Sequence, residues 1–199
     1  MNGSCIIIGG GIGGLFTGAF LSKNGIKVTV LEKNSITGGG LQCFARKGKT
    51  FETGMHVAGG FGPDGNLNKI CHYLGISHKL RLQEVPSECS DEIYYHSSNE
   101  LFQIASGKEK FTERLIQYFP HEAYGIKAYV DELFRLTEEV PLFSLHEDSP
   151  LLENKHSENF LISADSLINK FVQDERLREI LAYLNPLYGG VKGHTPAYI

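Results

Sequence analysis

A chain of 199 residues, 41% of them hydrophobic, is long enough for one large domain or two small ones, each with a packed core. Its net charge of −4 argues against a nucleic-acid partner, which would require a basic surface. The four cysteines form no Cys-x-x-Cys pair and the histidines lack metal-binding spacing. We therefore expect no metal site, no disulfide framework and a reducing, cytoplasmic environment.

The first predicted elements surround a cluster of glycines. Residues 5–8 predict a buried strand and residues 13–23 a helix, and Gly9, Gly11 and Gly14 at their junction fit the pattern G-x-G-x-x-G. In this pattern, glycine allows the tight turn, the close approach of a pyrophosphate and the packing of the helix on the sheet. The N–H groups at a helix N-terminus attract phosphate, so the junction predicts a dinucleotide site.

A second strand, predicted at residues 27–31, ends on a carboxylate. Glu32 can accept hydrogen bonds from both ribose hydroxyls of an adenosine and would repel a 2′-phosphate, which favours FAD or NAD over NADP. The alternative is a glycine-rich turn in some other α/β protein. Residues 5–22 carry no charge, but six glycines interrupt them, which argues against a secretory signal or a membrane span.

A second glycine-rich loop follows, which a simple NAD dehydrogenase does not need. The order is E-x(5)-G-G at Glu32, Gly38 and Gly39, and then G-x-x-F-[DE]-x-G-x-H over residues 48–56. This arrangement resembles the FAD-dependent amine oxidase and phytoene desaturase superfamily. It is most similar to the branch that holds retinol saturases, carotenoid isomerases and bacterial phytoene dehydrogenase-like proteins. The clearest resemblance covers residues 4–60, and a weaker one runs on to the end of the chain.

The resemblance implies an α/β fold, with a Rossmann-like FAD-binding domain of the GR2 type, incomplete here, at residues 1–65. Part of an α+β substrate or cap domain is expected at residues 66–199. The resemblance also implies that residues of four segments hold FAD along its length. Gly9, Gly11, Gly13 and Gly14 are expected at the pyrophosphate, and Glu32 and Lys33 at the adenosine. Gly38 and Gly39 form the second loop, and Gly54 and His56 are expected near the flavin. His56 fits a structural histidine equally well. No catalytic residue is assigned, because these motifs bind a cofactor and do not transfer protons.

The rest of the chain predicts hairpins followed by helices. A hairpin is expected around Gly48, a helix at 66–74 that ends at Gly75, and strands at 80–84, 92–96 and 101–104, the last two as a hairpin. Helices are predicted at 111–119, 122–145, 163–171 and 174–184. Pro141 should break or kink the second of them, and Ser163 and Asp174 should be the N-caps of the last two. A mobile loop is predicted at 147–158. The apolar helix faces indicate either ordinary core or the lining of a site for a greasy substrate.

Three functional hypotheses follow from these features. The leading one is an FAD-dependent oxidoreductase that transfers a hydride to or from a carbon–carbon bond of a small hydrophobic substrate, such as a polyene, retinoid or carotenoid. A flavin amine oxidase or another FAD dehydrogenase is the alternative. A dinucleotide-binding protein without redox turnover is the third. NAD is left open as an electron partner.

The end of the chain is apolar and glycine-rich, and members of the resembled family are longer. We therefore expect an N-terminal fragment that retains FAD poorly and is inactive by itself. Peripheral contact with a membrane is left open, because no basic amphipathic helix indicates it. The substrate, the direction of the reaction, the electron acceptor and the oligomeric state do not follow from the sequence.

Overall fold

The computed structural model describes residues 3–55, 57–145 and 156–198. Within these ranges, no helix is both long enough and apolar enough to cross a membrane. The chain divides into two compact units, Met1–Arg81 and Leu82–Ile199. The division expected after residue 65, between a cofactor-binding domain and a cap domain, stays a prediction.

The first unit begins with two parallel strands joined by a helix. β1 (Ser4–Ile8) pairs in parallel with β2 (Lys27–Leu31), and α1 (Ile12–Lys23) connects them. A Cβ built on Gly18 of α1 would lie 3.4 Å from the side chain of Ile7, so the helix packs closely on the sheet at this glycine. These elements confirm the predicted Rossmann-like βαβ arrangement.

A hairpin and a helix complete the first unit. β3 (Cys43–Arg46) and β4 (Lys49–Glu52) pair antiparallel, as the glycine at the predicted turn indicated. α2 (Asn66–Leu74) packs on α1, since the ring of Tyr73 stacks on Phe20 with centroids 5.2 Å apart. This contact holds α2 within the first unit.

The prediction of a strand at residues 80–84 is wrong. These residues have no helix or strand assignment, and Leu82 exposes 60% of its surface. A strand is stable only when its backbone N–H and C=O groups pair with a neighbour, and the described part of the chain provides no such neighbour for this segment.

The second unit consists of one hairpin and five helices in the described residues. The antiparallel strands are β5 (Asp91–Tyr95) and β6 (Glu100–Ile104), which confirms the second predicted hairpin. The helices are α3 (Lys108–Tyr118), α4 (Ala123–Glu138), α5 (Pro141–Ser144), α6 (Ala164–Phe171) and α7 (Glu175–Leu181).

The core of the second unit lies between β6 and the helices. Phe102 of β6 stacks on Phe119 with ring centroids 5.9 Å apart. One residue from each of four helices has almost no exposed surface, namely Leu115, Ile126, Leu167 and Leu177. The apolar helix faces are therefore core at these positions, as the ordinary interpretation of their spacing predicted.

The predicted helix at 122–145 is interrupted. α4 ends at Glu138 and a separate short helix, α5, begins at Pro141, because proline has no N–H to continue the hydrogen bonds of the preceding turn. The last helix likewise ends at Leu181 instead of residue 184. Most of the predicted mobile loop, residues 146–155, lies outside the described residues.

Both predicted N-caps are confirmed. The hydroxyl of Ser163 accepts a hydrogen bond from the N–H of Ser166 at 3.1 Å. The carboxylate of Asp174 accepts from the N–H of Leu177 at 2.9 Å. Each cap satisfies one of the N–H groups that a helix start leaves without an intrahelical partner, so these two residues set where α6 and α7 begin.

An ionic cluster joins α4 to the segment that precedes α6. Arg135 donates to Glu132 at 2.8 Å and to Glu139 at 2.6 Å, and Asn159 donates to Glu132 at 2.6 Å. The hydrogen bond from Arg135, supported by that from Asn159, lowers the pKa of Glu132 to about 2. The charged form of Glu132 is thus favoured by the folded state.

This cluster predicts a loss of stability in acid. A carboxylate with a lowered folded pKa stabilises the protein fully above its unfolded pKa, near 4.5, and loses that contribution as the pH falls toward 2. Arg135→Met should cost about 1 kcal/mol at pH 7, because the cluster is partly exposed, and should flatten the fall below pH 4.5. Urea unfolding at several pH values measures both effects, with Arg81→Met as the control. An unchanged pH profile in Arg135→Met would contradict the assignment.

Candidate dinucleotide-binding site

The first glycine loop joins β1 to α1. Gly9 has a φ of 105°, which glycine adopts readily, and its N–H donates to the carbonyl of Leu31 at 2.7 Å. Gly11 is the N-cap of α1, and no side chain caps the helix. Since the first N–H groups of a helix lack intrahelical partners, this loop can bind a phosphate group.

Gly14 holds the helix against the loop. A Cβ built on Gly14 would lie 2.1 Å from the carbonyl oxygen of Gly9, so any side chain would force the backbone apart. A Cβ built on Gly13 would meet no atom within 4 Å. The structure therefore explains why glycine is needed at position 14, whereas Gly13 contributes a backbone group in the first turn of α1.

Glu32 follows β2 and is fixed by two backbone groups. Its Oε2 accepts from the N–H of Gly10 at 2.7 Å, and its Oε1 accepts from the N–H of Asn34 at 2.8 Å. These two hydrogen bonds hold the pKa of the Glu32 carboxyl below its ordinary value, and the one from Asn34 has the larger effect. Each oxygen retains a lone pair that could accept from a ribose hydroxyl. Lys33, next in the chain, is exposed.

The second glycine loop packs directly on the first. The N–H of Gly38 donates to the carbonyl of Gly10 at 2.7 Å. A Cβ built on Gly39 would lie only 3.0 Å from the Cα of Gly11. Gly38 and Gly39 also have φ angles of 118° and 58°, a region that disfavours other residues. The two loops thus pack backbone against backbone, and a Cβ on Gly39 would press on Gly11.

The segment after β4 returns to the second loop. The hydroxyl of Thr53 donates to the carbonyl oxygens of Gly40 and Gln42, each at 2.9 Å. A Cβ built on Gly54 would lie 3.1 Å from the same oxygen of Gly40. Gly54 therefore lies beside the second loop, and its predicted position near the flavin stays a prediction. His56 lies outside the described residues.

Gly10 is the residue of this site that sequence analysis missed. Its N–H holds Glu32 and its carbonyl holds Gly38, so it connects the acidic residue to both glycine loops. The signal was present as the middle glycine of an uninterrupted run of three. The G-x-G-x-x-G pattern leaves that position open, which is why the residue was overlooked.

The site fits an adenine dinucleotide by the chemistry of its donors and its shape. It provides a helix start for the pyrophosphate, a fixed carboxylate for the ribose and backbone surfaces without side chains. In the described part of the chain, no cluster of histidine, cysteine, aspartate or glutamate could hold a metal ion.

Comparison with known proteins identifies the family. The family described as an NAD(P)-binding Rossmann-like domain matches residues 7–74. Prolycopene isomerase 1 of an Oncidium hybrid cultivar is 32% identical over 206 residues, which cover 96% of this chain and 34% of the relative. The chain belongs to the superfamily of FAD-dependent amine oxidases and phytoene desaturases. The resemblance inferred from the two glycine loops is confirmed, and with it membership of a family of enzymes.

Other members of this superfamily align over most of the chain. The all-trans-retinol 13,14-reductase of Rattus norvegicus is 28% identical, over 96% of this chain and 33% of its own. A solved structure of putrescine oxidase with bound putrescine superposes with a TM-score of 0.58 at 19% identity, over 99% of this chain and 40% of its own. That likeness shows the fold. The chain spans about a third of the length of these sequence relatives.

Proposed function

We propose that this chain supplies the adenosine- and pyrophosphate-binding part of an FAD-dependent oxidoreductase. The observation that carries the proposal is the connection through Gly10, which holds Glu32 with its N–H and Gly38 with its carbonyl. A simple dinucleotide fold needs one glycine loop and one acidic residue. Here a second loop is fixed on the first, which extends the cofactor surface beyond the pyrophosphate.

Each part of the site has a role toward FAD. The start of α1 binds the pyrophosphate, and Glu32 accepts from the ribose hydroxyls. The family motif further assigns Lys33 to the adenine and Gly54 and His56 to the flavin. When bound, FAD supplies the hydride transfer, and the protein orients the ring and excludes water.

The substrate class rests on the relatives. Prolycopene isomerase and all-trans-retinol 13,14-reductase are named for conjugated, hydrophobic substrates, which supports action on a carbon–carbon bond of a polyene, retinoid or carotenoid. Putrescine oxidase supports the alternative, a flavin amine oxidase or another FAD dehydrogenase. NAD is a further candidate as an electron partner, and the cytoplasm is the proposed location.

A protein that binds a dinucleotide without redox turnover is the competing class. Absorbance of the purified protein that contains this chain separates the two, since an enzyme should carry the yellow flavin band. Anaerobic bleaching of that band by a polyene, and not by an amine, supports the leading function. Bleaching by the amine alone supports the amine oxidase. A protein that binds ADP but never flavin contradicts the proposal.

The cofactor site can also be tested on the chain itself. We expect ADP and FAD to bind more tightly than NADP, because Glu32 repels a 2′-phosphate. Glu32→Gln should weaken ADP binding about tenfold, since the hydrogen bonds to a charged acceptor are lost. It should also reduce the preference for ADP over NADP, because the charge that repels the 2′-phosphate is removed. Calorimetric titration measures both.

The matched control is Asp64→Asn, which removes the same charge at an exposed position of the first unit. It should leave ADP binding unchanged. If Glu32→Gln and Asp64→Asn bind ADP equally, Glu32 does not contact the ribose.

A further inference from the structure

One face of the β3–β4 hairpin combines aromatic and basic side chains. Phe44 lies opposite Phe51 and Arg46 lies opposite Lys49, so these four residues point to the same side of the two strands. The two phenylalanine rings stack with centroids 5.3 Å apart. Lys47 adds a third cation at the turn. We call these five residues the hairpin face.

The turn of this hairpin has an unusual occupant. Lys47 and Gly48 have φ angles of 49° and 72°, so both central residues of the two-residue loop are left-handed. Such turns match the twist of the strands but favour asparagine, aspartate or glycine at the first central position. A lysine there is disfavoured locally, although it places a third positive charge at the tip.

The charges of the hairpin face oppose the stability of the hairpin. Arg46 and Lys49 are direct cross-strand neighbours, and like charges in such a pair are destabilising. Over residues 3–55, 57–145 and 156–198, no carboxylate lies within ion-pair distance of Arg46, Lys47 or Lys49. This concentration of unneutralised cations occurs in a chain whose net charge is −4.

The rest of the first unit also leaves the aromatic side chains of the hairpin face exposed. Phe44 exposes 50% and Phe51 exposes 46% of its surface, and all residues of both strands are exposed. Aromatic side chains beside clustered cations suit the boundary between lipid headgroups and acyl chains, where the rings are buried and the cations meet anionic headgroups.

We propose that the hairpin face docks on an anionic lipid surface. Arg46, Lys47 and Lys49 contact the headgroups, and Phe44 and Phe51 enter the interface beside them. Charge complementarity selects this partner, because an uncharged apolar partner would leave three cations without compensation. The proposal is independent of the cofactor and of the reaction, since it uses residues that the dinucleotide site does not.

The test is co-sedimentation of the chain with vesicles of phosphatidylcholine that contain about 30% phosphatidylglycerol, with pure phosphatidylcholine for comparison. The chain should bind the anionic vesicles and be released by about 0.5 M salt. The variant R46Q/K47N/K49Q should bind about 100-fold more weakly, since each basic residue near an anionic surface contributes about a fivefold factor. Asparagine at position 47 preserves the turn, and circular dichroism verifies the fold.

The matched control is K27Q/K79Q/R81Q, which removes the same charge from exposed positions of the first unit. It should retain most of the binding, whereas F44S/F51S should lose about tenfold because the interfacial rings are removed. If the two triple variants lose vesicle binding equally, net charge alone explains the binding, and the proposal is overturned. Equal binding to neutral vesicles would also overturn it.

Discussion

Gly14→Ala should lower the free energy of unfolding of the first unit by about 3 kcal/mol, at the upper end of the usual cost of overpacking. The new Cβ would lie 2.1 Å from the carbonyl oxygen of Gly9 and 3.3 Å from the side chain of Ile7. The first neighbour is backbone and cannot rotate away, so α1 must move off β1. Urea unfolding followed by circular dichroism measures the loss.

The same substitution should also weaken ADP binding, because moving α1 displaces the N–H groups that face the pyrophosphate. Gly13→Ala is the matched control, since a Cβ on Gly13 meets no atom within 4 Å. In a helix, alanine is favoured over glycine by about 1 kcal/mol, so Gly13→Ala should be neutral or stabilising. Similar destabilisation at both positions would show that the contact of Gly14 with Gly9 is not what requires glycine.

The pattern of the cofactor loops was predictable because each glycine is required by local geometry. Gly9 ends a strand and Gly14 packs a helix, and these needs recur at a fixed spacing in any βαβ unit of this kind. The contact between the loops was not predictable in the same way. The hydrogen bond from Gly38 to Gly10 joins residues that are distant in sequence, and no periodicity specifies which backbone groups meet.

The second unit shows the same division between local and non-local causes. Ser163 and Asp174 were identifiable as N-caps because a cap bonds to a residue only three positions away. The segment 80–84 has apolar residues that alternate as in a strand, yet it finds no pairing partner in the described structure. Strand formation depends on a neighbour that can lie anywhere in the chain, so alternation alone overpredicts it.

Glu122 is a non-local contact of this kind with a large expected effect. It exposes only 9% of its surface and is the buried charged residue of the described structure. Its Oε1 accepts from the backbone N–H groups of Gln173 and Asp174, the first at 2.7 Å. The carboxylate thus ties the turn before α4 to the loop between α6 and α7. Asp174 in turn caps α7, so one side chain positions two helices.

Glu122→Ala should destabilise the second unit by about 3 kcal/mol, because it removes a buried charged acceptor and leaves two partly buried N–H groups without it. Glu122→Gln should cost about 1 kcal/mol, since the amide oxygen can still accept from both. Glu113→Ala, at an exposed position of α3, should stay within about 0.5 kcal/mol of the parent. Urea unfolding gives the three values, and amide hydrogen exchange should accelerate at residues 173 and 174 only in Glu122→Ala. Equal stability of Glu122→Ala and Glu113→Ala would mean that these N–H groups find water or another acceptor, and that Glu122 does not hold the helices together.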